Sequence, residues 1–315
     1  MKVVFMGTPD FAVGALEEII KAGHEVITVV TQPDKPKGRG KEMQVSAVKA
    51  CALEHGLPVF QPVKIKTPEA VEQLRSYKAD IFVVAAFGQI LSKEILDMPK
   101  YGCVNIHASL LPKYRGAAPI QWAVIDGEEE TGVTIQQMNE GVDTGDILMQ
   151  EVVKLDAKET GASLFDKLAV CGAELIVKTL TEIEKGSLTP VKQDDSKSTH
   201  AKMLSKDMGK LDFSQEAIVL ERKIRGLNSW PSAYTYYKGK TLKIWDADVV
   251  DTNGAEQALP GGHGSVCEVA KDSFDIVTGK GCLRINEVQL EGKKRMKVSA
   301  FLLGYPIEKG MVFPN

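Results

Sequence analysis

Short apolar runs alternate with segments of helical periodicity through the first part of the chain. Residues 2–6 and 25–30 are mostly apolar, and Phe11, Leu16, Ile19 and Ile20 recur between them at helical spacing. Residues 80–87 form the most apolar run, and a turn and a helix are predicted after it, to residue 96. Buried strands alternating with amphipathic helices are typical of a parallel sheet covered by helices. We therefore predict an α/β N-terminal domain with a Rossmann-like, mostly parallel sheet.

The last third of the chain has a different pattern. A helix at residues 217–226 precedes several short strands separated by turns, which indicates a small β-barrel. A chain of 315 residues is long for one domain. We predict a catalytic domain at residues 1–188, a polar linker without periodicity at residues 189–206 and a C-terminal barrel domain at residues 207–315.

Composition limits the possible classes of protein. The net charge of −3 and the pI near 6.0 do not indicate a general nucleic-acid binder, so any such contact needs a local basic patch. From Lys206 onward, 16 Lys and Arg stand against 14 Asp and Glu, a slight basic excess. The five cysteines are widely spaced without a Cys-x-x-Cys pair, so neither disulfides nor a zinc site are indicated. With no signal peptide or membrane-length apolar run, we expect a cytoplasmic protein.

Three polar residues stand where chemistry is expected in such a fold. Residues 102–107 are predicted to form a strand, whose alternation places Asn105 and His107 on one face at its carboxyl end. Asp143 lies in a Gly-flanked loop, residues 141–146, that can return its carboxylate to the imidazole. An amide, an imidazole and a carboxylate together suit acyl transfer to an amine. The alternative is that they are a hydrogen-bonded structural histidine and turn residues.

Two loops raise further hypotheses. The first predicted turn reads Gly-Thr-Pro-Asp and lacks the Gly-x-Gly-x-x-Gly pattern, which argues against a NAD-dependent dehydrogenase. Residues 32–44 are rich in Pro, Gly and charge. Most such loops are solvated surface, but this one follows a strand at the predicted carboxyl edge and could contact RNA phosphates. Its basic residues are Lys35, Lys37, Arg39 and Lys41.

The motifs at residues 105–112, 115–120 and 141–146 together resemble the signature of the 10-formyltetrahydrofolate-dependent formyltransferases. Residues 5–11 and 31–41 resemble, more narrowly, the branch of that family that acts on methionyl-tRNA. The resemblance extends over essentially the whole chain and is densest in residues 1–150. It implies that the C-terminal barrel is similar to oligonucleotide-binding barrels and binds the tRNA. It implies transfer of a formyl group from 10-formyltetrahydrofolate to the α-amino group of initiator methionyl-tRNA, producing N-formylmethionyl-tRNA for translation initiation.

The resemblance also implies roles for individual residues. Asn105 and His107 would stabilise the oxyanion and Asp143 would orient His107. Arg39 would be the foremost tRNA contact, together with Lys35, Lys37 and Lys41. The folate contacts would come from Ser109, Leu110, Leu111 and Pro112, and from Ala86, Phe87, Gly88, Gln89, Ile90 and Leu91. We expect no metal and a monomer.

The same residues are also compatible with other functions. The same three polar residues could serve formyl transfer to an amino sugar or to glycinamide ribonucleotide, or hydrolysis of the formyl donor. A non-catalytic RNA-binding protein is a different class, against which the joint presence of Asn105, His107 and Asp143 argues.

Overall fold

A computed structural model describes residues 1–37, 42–251 and 261–314. The chain divides into two compact units, and each of them combines separate stretches of sequence. Unit 1 consists of Met1–Pro119, Glu130–Lys154 and Phe165–Ala201. Unit 2 consists of Ile120–Glu129, Leu155–Leu164 and Lys202–Asn315. The C-terminal unit thus includes two short segments from the middle of the chain, which the sequence pattern does not reveal.

The helices within the described ranges vary from one turn to seven turns in length. They are α1 (Val13–Lys21), α2 (Ala47–Glu54), α3 (Pro68–Ser76), α4 (Lys93–Leu96), α5 (Pro119–Asp126), α6 (Gly161–Lys185), α7 (Ala217–Gly226) and α8 (Val298–Leu302). Short 3₁₀ helices occupy Asp10–Ala12, Asp195–Lys197 and Lys206–Gly209. None of the helices described is both long and apolar enough to cross a membrane.

The strands of unit 1 form one large sheet and two short ladders. They are β1 (Lys2–Gly7), β2 (Glu25–Val30), β3 (Lys35–Lys37), β4 (Glu42–Gln44), β5 (Val59–Phe60), β6 (Ile81–Ala85), β7 (Cys103–His107), β8 (Arg115–Gly116), β9 (Glu130–Gln137), β10 (Ile147–Lys154) and β11 (His200–Ala201). The large sheet has the order β10-β9-β7-β6-β1-β2-β5, while β3 pairs with β4 and β8 with β11.

The large sheet is parallel from β5 to β7 and antiparallel at β9 and β10. The strands β1, β6 and β7 run side by side, so the loops that follow them leave from the same edge. The chain order reverses on either side of β1, and ligands of such sheets bind beyond the carboxyl ends near this reversal. One face of the sheet packs on a core that includes Val4, Met6, Phe82, Val84 and Phe87.

The strands of unit 2 form an antiparallel sheet. They are β12 (Ala233–Tyr237), β13 (Lys240–Val250), β14 (Val266–Val269), β15 (Phe274–Val277), β16 (Cys282–Leu290) and β17 (Met296–Lys297). Their order is β12-β13-β16-β15-β14, and β17 pairs with β16. The apolar side chains of this sheet enclose a core with those of α7 and α8.

The predicted fold class is confirmed: a mostly parallel α/β sheet is followed by an antiparallel β domain. The helix predicted at residues 217–226 has those bounds in the structure, and β10 lies at one edge of the large sheet. The helix predicted after residue 88 is much shorter, because only Lys93–Leu96 is helical. Most of the linker predicted at residues 189–206 belongs to unit 1. It contains β11, which pairs with β8, and Val191, which pairs with Ile147.

Candidate active site

The register between β7 and β9 brings four polar residues to one face of the sheet. Asn105 lies opposite Gln136, and His107 lies opposite Thr134. Residues directly opposite each other in an antiparallel pair project from the same face, and positions two apart on a strand also share a face. The predicted pair on β7 therefore faces a second polar pair on β9.

The surroundings of His107 determine which of its ring nitrogens is available. The side chain is only 6% exposed. Its Nε2 lies 2.9 Å from the main-chain oxygen of Tyr114. Because a carbonyl oxygen can only accept a hydrogen bond, Nε2 carries the proton. The available nitrogen is therefore Nδ1, which lies 3.6 Å from Oδ1 of Asp143.

Asp143 is held close to the imidazole by two donors. Its backbone has a positive φ of 53°, which is uncommon for a residue other than glycine. Oδ2 accepts a hydrogen bond from the main-chain N–H of Gly116 at 2.8 Å, and Oδ1 accepts one from Nε2 of Gln136 at 2.8 Å. Both carboxylate oxygens are thus positioned, and the 3.6 Å separation from His107 is slightly longer than a direct hydrogen bond.

The loop that carries Asp143 is anchored by Gln193, a buried residue from the predicted linker. Nε2 of Gln193 donates to the main-chain oxygens of Asp143 at 2.9 Å and of Gly145 at 2.6 Å. Its Oε1 accepts two hydrogen bonds from Arg115, from Nε at 3.0 Å and from Nη2 at 2.8 Å. Arg115 also pairs with Asp195. Arg115 and Gln193 together therefore fix the backbone on which the carboxylate depends.

The predicted folate segment after β7 is held mainly by Thr134. Oγ1 of Thr134 donates to the main-chain oxygen of Ser109 at 2.7 Å and accepts from the N–H of Leu111 at 3.1 Å. Ser109 and Leu111 are buried, whereas Leu110 and Pro112 are half-buried. Surface for a ligand in this segment therefore comes from Leu110 and Pro112.

The second predicted folate segment, residues 86–91, is an irregular turn at the end of β6. Ala86 and Gly88 have positive φ angles of 47° and 84°, so the chain cannot continue directly into a helix. The main-chain oxygen of Phe87 accepts hydrogen bonds from Thr8 at 3.0 Å and Gln32 at 3.2 Å. These bonds link the turn to the loops that follow β1 and β2.

Few side chains of this turn are free to contact a ligand. Phe87 and Leu91 are buried in the core, whereas Ile90 is 68% exposed. The amide of Gln89 is bonded to the backbone, accepting from Ile65 at 2.7 Å and donating to Pro62 at 3.0 Å. The turn can therefore offer a ligand main-chain groups and the exposed side chains of Ala86 and Ile90.

The predicted tRNA-contacting loop, residues 32–44, contains the two short strands of the β3–β4 ladder. Lys35 is exposed on β3, Lys37 ends that strand, and Arg39 and Lys41 lie outside the described residues. At the base of the loop, Asp34 accepts hydrogen bonds from Lys49 at 2.6 Å and from Gln61 at 2.8 Å. These bonds hold the pKa of the Asp34 carboxyl below its usual value, and the bond from Lys49 has the largest effect.

Within the described ranges, one group of side chains has the ligand types and spacing of a cation site. Glu17 of α1, Cys51 of α2 and His55 at the end of α2 have ligand atoms that all lie within 4.8 Å of one another. Burial, with the nearby charges of Glu17 and Glu54, raises the pKa of Cys51 to about 11. This group shares no residue with the cluster around His107.

Family models match both parts of the chain. Residues 1–180 match the model described as formyl transferase, and residues 203–306 match the model of the formyl transferase C-terminal domain. The chain belongs to the formyl transferase family.

Two relatives of this formyl transferase chain are matched over nearly their full length. It is 61% identical over 312 residues to a methionyl-tRNA formyltransferase of Lachnospira eligens, with 99% of each chain covered. It is 57% identical over 313 residues to the methionyl-tRNA formyltransferase of Agathobacter rectalis, again covering 99% of each. Similarity of this extent includes both units.

Solved structures of more distant proteins share the fold of this formyl transferase. A sugar 3N-formyl transferase, solved in the presence of dTDP and 5-N-formyl-THF, matches with a TM-score of 0.67 at 22% identity, over 93% of this chain and 99% of that one. HypX from Aquifex aeolicus, solved in complex with tetrahydrofolic acid, matches with a TM-score of 0.64 at 19% identity, over 100% of this chain and 51% of that one.

Five residues that position the site were not among the predicted site residues: Tyr114, Arg115, Thr134, Gln136 and Gln193. Gln136 lies on β9, and Gln193 lies within the predicted linker. Their roles come from hydrogen bonds that only the folded chain forms, so the sequence carries no local signal for them.

Proposed function

We propose that this formyl transferase moves the formyl group of 10-formyltetrahydrofolate to the α-amino group of methionyl initiator tRNA. The product is N-formylmethionyl-tRNA for translation initiation. The observation that carries the proposal is the end-to-end similarity, at 61% and 57% identity, to two methionyl-tRNA formyltransferases. The arrangement of Asn105, His107 and Asp143 supports the same chemistry, because it joins donors suited to an oxyanion with a carboxylate.

The reaction begins with attack of the neutral amine on the formyl carbon. A new C–N bond forms while the carbonyl electrons move to the oxygen, and collapse of this adduct breaks the bond from carbon to the folate nitrogen. The amine loses a proton and the folate nitrogen gains one, so the exchange is balanced. The Nδ2–H of Asn105 stabilises the developing negative charge, and removing one such donor typically costs about 10²–10³ in rate.

His107 also stabilises the oxyanion, and Asp143 orients His107. Because Nε2 of His107 is engaged by the carbonyl of Tyr114, Nδ1 is the ring nitrogen through which His107 acts on the oxyanion. Asp143, at 3.6 Å from Nδ1, orients the imidazole. A water between substrate and Asp143 can carry away the proton that the amine loses.

The formyl donor is proposed to be a folate because two fold neighbours were solved with folates: 5-N-formyl-THF with the sugar 3N-formyl transferase and tetrahydrofolic acid with HypX. In this chain, the proposed folate contacts are the turn of residues 86–91 and residues 109–112. Both follow parallel strands at the same sheet edge as His107. The main-chain groups of the first segment suit the amide-like edge of a pterin.

The acceptor is proposed to be a tRNA because the relatives are methionyl-tRNA formyltransferases. Lys35, Lys37, Arg39 and Lys41 lie within or between β3 and β4. A guanidinium can bind phosphate in a bidentate manner, which makes Arg39 the foremost candidate. We propose a monomer, with folding domains at residues 1–188 and 207–315.

The experiment that tests the proposal measures transfer of labelled formyl from 10-formyltetrahydrofolate to several acceptors in parallel. Methionyl initiator tRNA is compared with free methionine, a nucleotide-linked amino sugar and glycinamide ribonucleotide, and release of formate in the absence of an acceptor is also measured. We expect efficient transfer to the tRNA alone. Preference for a small amine, or release of formate at the same rate without acceptor, would contradict the proposal.

A further inference from the structure

One polar atom beside the predicted catalytic residues is buried without a hydrogen-bond partner. Gln136 is 2% exposed, and its Oε1 has no partner within the described part of the chain. The other end of the same amide is engaged, because Nε2 donates to Oδ1 of Asp143 at 2.8 Å. This bond fixes the orientation of the amide, since the carboxylate oxygen can only accept. An unpaired buried acceptor is costly, so Oε1 requires a donor.

The nearest residue across the sheet can supply that donor. Asn105 is opposite Gln136 in the β7–β9 ladder. Side chains of such opposite pairs leave the sheet on the same face, with Cβ atoms about 4.5–5.5 Å apart. The amide of Asn105 carries two N–H donors, and no side-chain hydrogen bond occupies them among the residues described. A rotation of the Asn105 side chain is sufficient to direct one N–H toward Gln136.

We propose that Gln136 is a positioning residue that links Asn105 to Asp143. Its Oε1 accepts one N–H of Asn105 while its Nε2 holds the carboxylate of Asp143. One Asn105 N–H is then committed to Gln136, and the second is directed toward the formyl oxygen. The amide and the carboxylate, which come from separate segments of the chain, become one hydrogen-bonded unit.

The burial of Oε1 favours Asn105 over a substrate group as its partner. This atom is almost inaccessible to solvent, and an amine attached to a tRNA cannot approach it without displacement of the surrounding chain. Asn105 is already adjacent and half-buried on the neighbouring strand. The catalytic meaning of the link rests on the proposed function, whereas the link itself is a property of the free protein.

The kinetic test uses Gln136→Met, which keeps a long unbranched side chain but removes both hydrogen-bonding ends. We expect kcat to fall about 10- to 100-fold, since misplacement of catalytic groups has effects of this size, while KM for methionyl-tRNA changes less than about threefold. Asn105→Ala should cost about tenfold less in the Gln136→Met protein than in the parent, because coupled residues are not additive. Additive losses would contradict the link.

The matched control is Gln137→Met, at the next position of β9. Gln137 lies on the other face and donates to the main-chain oxygens of Tyr101 and Cys103. This variant also loses hydrogen bonds of a strand glutamine, but its effect should be additive with that of Asn105→Ala. Equal coupling in both double variants would show a general loosening of the strand and would overturn the proposal.

A second readout does not depend on activity. In protein labelled with ¹⁵N-asparagine, the side-chain amide of Asn105 is assigned by its absence from the Asn105→Ala spectrum. We expect one of its protons to exchange slowly with water in the parent and in Gln137→Met, and about tenfold faster or more in Gln136→Met. Unchanged exchange in Gln136→Met would refute the link. If the parent fails to formylate the tRNA, the proposed function fails, but this measurement still decides the role of Gln136.

Discussion

The cluster around His107 and the β3–β4 ladder are both parts of unit 1, yet they are built in opposite ways. In the cluster, His107, Gln136 and Gln193 are at least nine-tenths buried and are bonded to defined partners. Along the ladder, Lys35 and Pro36 are exposed and Met43 is 63% exposed. Fixed side-chain positions suit a chemical step, whereas the exposed side chains of the β3–β4 ladder suit contact with a large ligand. We therefore expect substitutions in the two regions to affect different kinetic constants.

The largest effect is expected from His107→Ala. This substitution removes the ring whose Nδ1 lies beside Asp143, so kcat should fall by about 10²–10³ while KM for the tRNA changes little. Formyl transfer under saturating substrates measures it. His55→Ala, an exposed histidine at the end of α2, is the control and should retain activity. A loss confined to KM would mean that His107 contributes to binding and not to the chemical step.

Gln193→Ala should have an intermediate effect, because it releases the loop of Asp143 without touching the carboxylate. We expect kcat to fall about tenfold, and stability to fall by about 1–3 kcal/mol, since buried acceptors lose their donor. Kinetics and urea unfolding measure the two effects, with the exposed neighbour Lys192→Ala as control. If stability falls while kcat is unchanged, the anchor of this loop does not matter for catalysis.

Arg39→Ala tests the other region. Loss of one charge-assisted contact with phosphate should raise KM for methionyl-tRNA about five- to tenfold and reduce its dependence on salt. The KM for the folate donor should stay the same. Arg75→Ala, which removes an exposed arginine of α3, provides the control. Parallel increases in both KM values would count against the assignment of this loop to the tRNA.

The smallest effect is expected at the base of the loop, from Asp34→Asn. The variant weakens the bond to Lys49, and KM for the tRNA should rise about twofold, because a single ion pair near the surface contributes little. The folded-state pKa of Asp34 lies below its usual value, so the ion pair is present above about pH 3.8 and lost as the pH falls through that lower pKa. The ratio of variant to parent KM should therefore be constant across neutral pH. A ratio that varies there would indicate a different titrating group.

The sequence predicted the regular elements well and the site only in part. The buried strands β6 and β7 and the helix α7 have strong local patterns, and these elements formed as predicted. Asn105, His107 and Asp143 were proposed as site residues because a strand places polar residues in alternation and glycines flank a loop, and their roles stay predictions. Gln136 and Gln193 could not be found in this way, since their positions resemble ordinary strand and linker residues. The partners of Gln193 are also distant in sequence.

The boundaries of the domains remain predictions. The family models divide the chain between residues 180 and 203, whereas the compact units include residues 120–129 and 155–164 with the C-terminal part. The stretch that the sequence presents as a linker also contains Gln193, which bonds to the Asp143 loop. Polarity and loss of periodicity therefore do not distinguish a free linker from a segment held by side-chain hydrogen bonds.

On this account, the cluster around His107 performs formyl transfer, while residues 32–44 recognise the acceptor. The most direct test is single-turnover formylation of methionyl-tRNA by the parent, Asn105→Ala and Arg39→Ala over a range of enzyme concentrations. We predict that Asn105→Ala lowers the saturating rate by about 10²–10³ with little change in half-saturation, and that Arg39→Ala does the reverse. The same pattern in both variants would contradict this separation of chemistry from recognition.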